Sequence, residues 1–146
     1  MSLNINPLLL DLQTFIESGA ATLKVYREED VPEGADTANG YYAWNFEVDE
    51  IEKCSGKYTN HVYGELEILI YARARSVRST MIDAMLDLFC PETTGNRDDF
   101  SPSTLTTSYM HYCTLTDMSE LFAEKSGHGT PDVPGNSFTF NLKASL

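Results

Sequence analysis

Two long stretches of alternating side chains in the middle of the sequence constrain the fold more than any other feature. Tyr41–Lys53 and Tyr58–Ala72 each alternate between apolar and polar residues. The apolar residues in phase are Tyr42, Trp44, Phe46 and Val48 in the first stretch and Val62, Leu66, Ile68 and Ile70 in the second. A period of two is typical of a β-strand that buries one face. Because Ser55-Gly56 lies between the two stretches, the sequence predicts a long antiparallel hairpin.

Amphipathic helices are predicted on both sides of this hairpin. The first is Leu8–Ser18, with Asn6 as its N-cap and Gly19 as a left-handed residue after its end. Its apolar face is formed by Leu8, Leu12, Phe15 and Ile16. Asp11 is expected on the opposite, solvent-facing side. The second helix, Val77–Phe89, carries a continuous apolar stripe that must pack on a flat surface.

Shorter elements complete the order. They are strands at Leu23–Arg27, Leu105–Leu115 and Phe138–Ala144, a two-turn helix at Met118–Lys125, and loops at Glu28–Gly40, Glu92–Ser103 and Ser126–Asn136. Antiparallel strands with one apolar face suit a sheet that is covered by helices on one side. The sequence therefore predicts one α+β domain over residues 1–146. Its expected form is a two-layer sandwich, with a mainly antiparallel sheet of four to five strands and two main helices on one face.

The chain is strongly acidic for its size. Its 146 residues include 10 Lys and Arg against 22 Asp and Glu, which gives a formal net charge of −12. A charge of this sign disfavours binding to nucleic-acid phosphates and to anionic lipid headgroups. A hydrophobic content of 42% is that of a globular protein, and no apolar run is long enough for a membrane span or a secretory leader. The three cysteines show no CxxC spacing, so we expect reduced thiols in a cytoplasmic setting.

Motifs for catalysis or cofactor binding are not found in the sequence, which contains no GxGxxG, GK[ST] or GxSxG. The nearest approach to a catalytic set is His111, Cys113 and Asp117. On a strand, residues 111 and 113 point to the same face, but any half-buried strand gives that pattern and a structural role is favoured. His61, His111 and His128 lack the spacing of metal ligands. We therefore expect no enzyme activity, no cofactor and no metal site.

Charge is distributed unevenly along the chain. Nine acidic residues and no Lys or Arg lie between Glu28 and Glu52. Three of the ten basic residues, Arg73, Arg75 and Arg78, follow the second long strand. One interpretation is a solvated acidic face beside an Arg-rich strand end. The alternative is that the Arg cluster of one subunit meets the acidic edge of the next.

Surplus apolar residues form the third informative feature. Tyr63, Leu69 and Tyr71 lie on the strand face opposite the predicted core, among glutamates. In a two-layer sandwich this face meets water, although aromatic side chains of this kind are enriched where a partner binds. Isolated exposed aromatics are also common. The sequence leaves both a self-association surface and an ordinary solvated face open.

The order of elements resembles the tail terminator, or tail completion, proteins of long-tailed bacteriophages and prophages. An N-terminal helix leads into strands, then a long hairpin, a helix and further strands. The closest stretch is Val62–Ala72, an extended strand that runs into the helix sequence R-S-T-M-I-D-A-M-L-D-L-F. The resemblance covers most of the chain and rests on pattern, because the family has no catalytic signature.

This resemblance implies a structural protein of the host cytoplasm and the virion tail. It would form a hexameric ring that binds the tail-tube protein, stops its polymerisation and offers a docking surface to the head-completion protein. A ring needs a heterologous interface. The candidate residues for that interface are Arg73, Arg75 and Arg78 against Glu47, Asp49 and Glu50, with Tyr63, Leu69 and Tyr71 as the apolar surface. A lumen lined by carboxylates would repel the DNA that passes through it.

Two alternatives come from other classes. One is a neck or head–tail joining protein of similar architecture with different partners. The other is a small-molecule-binding α+β domain in which Tyr63, Tyr71 and His61 line a pocket on the open sheet face. A ring-sized species in solution favours the terminator, whereas a strict monomer that binds a small molecule favours the pocket.

Overall fold

The computed structural model describes residues 4–89, 103–104, 108–121 and 135–146. Within them the helices are α1 (Asn6–Gly19) and α2 (Arg75–Phe89). The strands are β1 (Lys24–Arg27), β2 (Tyr41–Lys53), β3 (Asn60–Tyr71), β4 (Ser103–Thr104), β5 (Tyr109–Leu121) and β6 (Gly135–Ser145). A short 3-10 turn, Glu28–Asp30, follows β1. Several predicted features lie outside the described residues. They are Cys90, His128, residues 105–107 of the predicted strand Leu105–Leu115, the Glu92–Ser103 loop up to residue 102 and the Ser126–Asn136 loop up to residue 134.

The strands form one sheet in the order β1-β2-β3-β6-β5-β4. Among the described strands, β1 and β2 pair in parallel and the other pairs are antiparallel. The predicted α+β class with a mainly antiparallel sheet is confirmed. Over the described residues the sheet has six strands rather than four to five, and the sixth, β4, is two residues long.

The long hairpin forms where the alternating stretches predict it. The strand β2 coincides with the predicted Tyr41–Lys53, and β3 begins two residues later and ends one residue earlier than predicted. A β-bulge between Val48 and Glu50 shifts the register of the pair. Opposite the bulge, Gly64 allows a close approach, because a Cβ at this position would lie 2.3 Å from the carbonyl oxygen of Glu47.

Both helices pack on the same face of the sheet, as predicted. Leu12 from α1 and Met85 from α2 share one buried cluster with Trp44, Leu66 and Phe138 from the sheet. These side chains are at most 1% exposed. One apolar stripe of each helix meets the apolar face of the strands. The residues of the two sequence patterns therefore pack together in one core.

Three details of α1 differ from the prediction. The side chain of Asn4, and not that of Asn6, accepts a hydrogen bond from the first helical backbone N–H, at 3.0 Å. Gly19 is the last helical residue, and the left-handed residue that follows is Ala21, with φ of 54°. Gly19 is needed for space instead, since a Cβ there would lie 2.9 Å from Leu88 Cδ2.

Asp11 is buried rather than solvent-facing, which is a further correction. One of its carboxylate oxygens accepts hydrogen bonds from the backbone N–H of Ser108, at 2.9 Å, and from the Ser108 hydroxyl, at 2.7 Å. A buried carboxylate is tolerated when it is satisfied in this way. Asp11 therefore ties α1 to the residue that precedes β5.

The second face of the sheet is partly covered, contrary to the prediction that it is open. The segment that follows β1 places Val31 and Ala35 over Tyr41, Leu69 and Tyr71. Leu69 is 6% exposed and Tyr71 is 4% exposed. The surplus apolar residues at this end of the sheet are therefore accounted for by a small second core within the chain.

The strand β5 differs most from its prediction. It begins at Tyr109 and extends to Leu121, so residues 118–121 continue the strand and do not start a helix. Residues 122–125 of the predicted helix lie outside the described part of the chain. Two bulges interrupt its pairing with β6, and the last strand begins at Gly135, earlier than predicted. Bulges of this kind break the period of two on which the sequence prediction depends.

Candidate assembly surfaces

The predicted Arg cluster is divided by the structure. Arg73 and Arg75 are exposed at the end of β3 and the start of α2. Arg78 is only 7% exposed, and its guanidinium donates hydrogen bonds to the carbonyl oxygens of Ala72, at 2.7 Å, and Arg73, at 3.1 Å. Arg78 therefore holds the connection between β3 and α2. It is not available as an interface residue, which corrects the prediction.

The three predicted acidic interface residues are all exposed on β2. Glu47 lies before the bulge, Asp49 within it and Glu50 after it. The sheet register places Glu50 opposite Tyr63, whereas the Arg end follows Tyr71. Eight residues of strand correspond to roughly 27 Å, so one chain cannot bring the two charged groups into contact. Their attraction can act only between different copies.

Acidic side chains also line up on the face opposite the helices. Glu47 and Glu65 are directly paired across β2 and β3, an arrangement that is destabilising for like charges. The pKa of Glu67 is raised, first by burial and then by Glu28 and Glu65. Among the described residues, the ion pair found is Arg27 with Glu29, at 3.2 Å. Like charges therefore lie close together on this face of the sheet.

Tyr63 is the member of the predicted apolar surface that remains accessible. It is half-buried, and the ammonium of Lys143 lies 5.4 Å from the centre of its ring. Tyr63, Tyr112 and Asn141 line a shallow groove of about 350 Å³. The pocket expected from Tyr63, Tyr71 and His61 is not formed, because Tyr71 is buried under the segment after β1 and His61 does not line this groove.

Two histidines converge on one hydroxyl at the end of the sheet, a cluster that sequence reasoning missed. The Oγ atom of Ser145 lies 2.7 Å from Nδ1 of His61 and 2.5 Å from Nε2 of His111. His111 reaches Ser145 because it is the bulged residue between Met110 and Tyr112. Burial lowers the pKa of His111, and Lys143 and His61 lower it further.

The expectation that His111 and Cys113 point to the same face of the strand is wrong for the same reason. Cys113 is completely buried in the core beneath the helices, whereas His111 lies on the other face with Ser145. The bulge reverses the face of His111, and alternation alone could not reveal it. Within the described residues, no group of three His, Cys, Asp or Glu side chains is arranged to hold a metal ion.

A second groove, of about 530 Å³, lies between α1 and β1. Its lining includes Leu9, Leu10, Gln13 and Val25, together with Arg27 and Asp30. Gln13 joins helix to sheet, because its amide accepts a hydrogen bond from the Trp44 indole and donates one to the carbonyl oxygen of Val25, at 2.9 Å. In the described ranges, no helix is both long and apolar enough to cross a bilayer.

Comparison with known proteins supports the fold. No protein-family model matches the sequence, and no curated protein matches it. Among solved structures, the chain is similar to one chain of a structure described as the virion of a native gene transfer agent particle. The two chains are 14% identical, the match covers 90% of this chain and 84% of the other, and the TM-score is 0.54. At this level of identity, the likeness establishes a shared architecture over almost the whole chain.

Proposed function

We propose that the chain is a structural virion protein without enzymatic activity that serves as a tail terminator. The observation that carries the proposal is the architecture shared with a chain of a gene transfer agent virion over 90% of this sequence. The order of elements that resembles tail terminators supports the same role. In this role the chain forms a ring, hexameric by resemblance, that binds the tail-tube protein and presents a docking surface to the head-completion protein.

The charge distribution supports assembly into such a ring. The exposed Arg73 and Arg75 lie at one end of the sheet, and the exposed Glu47, Asp49 and Glu50 lie toward the other. Groups of opposite sign at opposite ends of one subunit favour head-to-tail contacts, which close into a ring when the rotation between subunits closes. We propose that the Arg pair of one subunit contacts the acidic residues of the next.

A charge-reversal series tests this contact. Arg75→Glu and Glu50→Arg are each expected to shift the protein from a ring-sized species toward monomers, because each places like charges together. A mixture of the two variants is expected to recover mixed assemblies. The measurement is size-exclusion chromatography with light scattering, alone and with tail-tube protein. Lys24→Glu, which reverses an exposed charge elsewhere, is the matched control and should assemble as the original chain does.

The same measurement separates the proposed function from its alternative. A terminator is expected to bind the last ring of the tail tube and to shorten tubes grown in its presence, which electron microscopy measures. A chain that assembles into a ring but leaves tube length unchanged would instead fit a neck or head–tail joining protein. A chain that remains monomeric at every concentration, with and without tube protein, contradicts both roles.

A further inference from the structure

We propose that neighbouring copies of the chain join edge to edge, so that one β-sheet continues from copy to copy. The outer edge of β5 over residues 111–119, here called the β5 edge, pairs with the outer edge of β2 over residues 45–53, here called the acidic edge. The inference rests on the proposed ring and specifies how its subunits meet. It concerns backbone pairing, which the Arg–carboxylate contact does not by itself require.

Among the residues that the structure describes, both edges extend beyond the short strands that pair beside them. The strand β1 pairs only with Tyr41–Trp44 of β2, and β4 pairs only with Tyr109 and Met110 of β5. Along the acidic edge, six of the seven residues from 47 to 53 are exposed. Along the β5 edge, Tyr112 and residues 116–118 are exposed. A strand edge of this length, without a neighbouring strand in the described part of the chain, is a template for pairing with another chain.

The exposed apolar side chains are concentrated on these edges. Among the described residues, four large hydrophobic side chains are exposed, and three of them lie here: Ile51 at 44%, Tyr112 at 39% and Met118 at 53%. Ile51 is aligned with Val62, and Met118 is aligned with Phe138, both of which face the helices. Ile51 and Met118 are therefore on the same face of the sheet, at its two opposite edges. Joining the edges would cover both.

Strand direction favours this pairing. From the acidic edge to the β5 edge the sheet contains β2, β3, β6 and β5, and each neighbouring pair is antiparallel. With four alternating strands, β5 runs opposite to β2. A second copy in the same orientation therefore presents its β2 antiparallel to β5 of the first. Every copy can be added in the same way, which is the heterologous repetition that a ring requires.

The short outer strands determine how the copies are offset. Without an offset, β4 would occupy the place beside Ile51 of the neighbour, because Ile51 and Met110 lie in the same row of the sheet. The neighbour's β1 would collide with β5 near Met118, which lies in the row of Trp44. A shift of the neighbour toward Leu121 relieves both clashes. The shift also moves its acidic edge toward the sheet end that carries Arg73 and Arg75.

Charge disfavours the main competing arrangement, in which two acidic edges pair about a two-fold axis. The acidic edge contains Glu47, Asp49, Glu50 and Glu52, so two of them would bring eight carboxylates together. The β5 edge contains one acidic residue, Asp117. Pairing between unlike edges therefore avoids most of the repulsion. The acidity of β2 therefore disfavours pairing between two acidic edges, whereas the nearly neutral β5 edge remains a suitable partner.

The test uses the sign of a charge placed on the β5 edge. Met118→Glu adds a negative charge at the junction with an edge that carries four carboxylates, and is expected to raise the concentration needed for half-assembly by about tenfold or more. Met118→Lys, at the same position, is expected to leave assembly unchanged or strengthen it. Leu10→Glu, which changes an apolar side chain that is 69% exposed on α1, is the control and should have no effect.

The outcomes distinguish this inference from the ring itself. Rings that form equally well with Met118→Glu and Met118→Lys overturn the edge pairing and leave the proposed function standing. An original chain that never self-associates overturns both. Circular dichroism checks that each variant is folded. If Met118→Glu does not fold, Thr116→Glu, at another exposed position of the β5 edge, repeats the test. Substoichiometric Met118→Glu added to the original chain is expected to cap growing assemblies, since its acidic edge remains intact.

Discussion

The burial of Arg78 makes it a structural residue and not an interface residue. In the sequence it is one of three arginines near a strand end, whereas in the structure it is buried and binds two backbone carbonyls. The two neighbouring arginines remain exposed. The spacing of charges in a sequence does not show which of them turns inward, because that depends on the path of the chain between β3 and α2.

At the residue scale, we expect Arg78→Ala to lower the free energy of unfolding by about 2–3 kcal/mol. The reason is that two hydrogen bonds from a charged donor are lost and two carbonyl oxygens are left without this partner. Urea unfolding measures the change. Arg75→Ala is the matched control and should change stability by no more than about 0.5 kcal/mol, since its side chain is exposed. Equal losses for the two variants would contradict the assignment of Arg78 as a structural residue.

Asp11 and the Ser145 cluster show where prediction from the sequence ends. Asp11 occupies a polar position of an amphipathic helix, and only the three-dimensional path of the chain brings Ser108 to it. His61 and Ser145 are 84 residues apart and meet through strand pairing. Long-range register and a bulge decide both contacts. The signal that could have indicated them is small, namely a polar residue close to an otherwise apolar helix face.

At the scale of elements, local pattern was the more reliable guide. The hairpin and both helices follow from alternation and from helical stripes, and β2 was predicted over its full length. The second half of β5 is missed by the sequence prediction because two bulges break its alternation. The second core under the segment after β1 could not be predicted, because a loop rich in turn-forming residues gives no sign of which surface it covers.

The hairpin also depends on one glycine. We expect Gly64→Ala to lower the free energy of unfolding by ~1–3 kcal/mol, because the new methyl group would press on the Glu47 carbonyl oxygen and the Phe46 ring. Thermal unfolding measures the loss. The exposed neighbour Glu65→Ala is the control and is expected to be neutral or slightly stabilising, since it removes a carboxylate that faces Glu47. A neutral Gly64→Ala would show that the bulge opposite can move away at little cost.

At the scale of the whole molecule, repulsion within a net charge of −12 lowers the free energy of unfolding. Glu67 shows the effect, since burial, Glu28 and Glu65 all disfavour its charged form. The raised pKa means that the folded chain holds this proton more tightly than the unfolded chain. The stabilisation is therefore complete below the ordinary pKa of a glutamate and is lost as the pH rises through the raised value.

We therefore expect Glu67→Gln to be more stable than the original chain at neutral pH. The difference should shrink as the pH falls through the raised pKa of Glu67, and it should be lost below the ordinary pKa of 4.5, where both chains are uncharged at this position. Added salt should also reduce the difference, because it screens the repulsion from Glu28 and Glu65. Urea unfolding at several pH values measures the trend. A difference that does not vary with pH would show that packing, and not charge, governs this position.

The hydrogen bond from the Gln13 amide to β1 affects which edges of the sheet can pair with another copy of the chain. By occupying the carbonyl oxygen of Val25, a helix side chain takes up an acceptor of β1 that another strand would otherwise use. β1, the outermost strand on that side, is therefore a poorer template for pairing with a strand of another chain. Fibril-like addition of strands to β1 is therefore disfavoured. Another copy is more readily added at edges whose backbone groups are still available for hydrogen bonds.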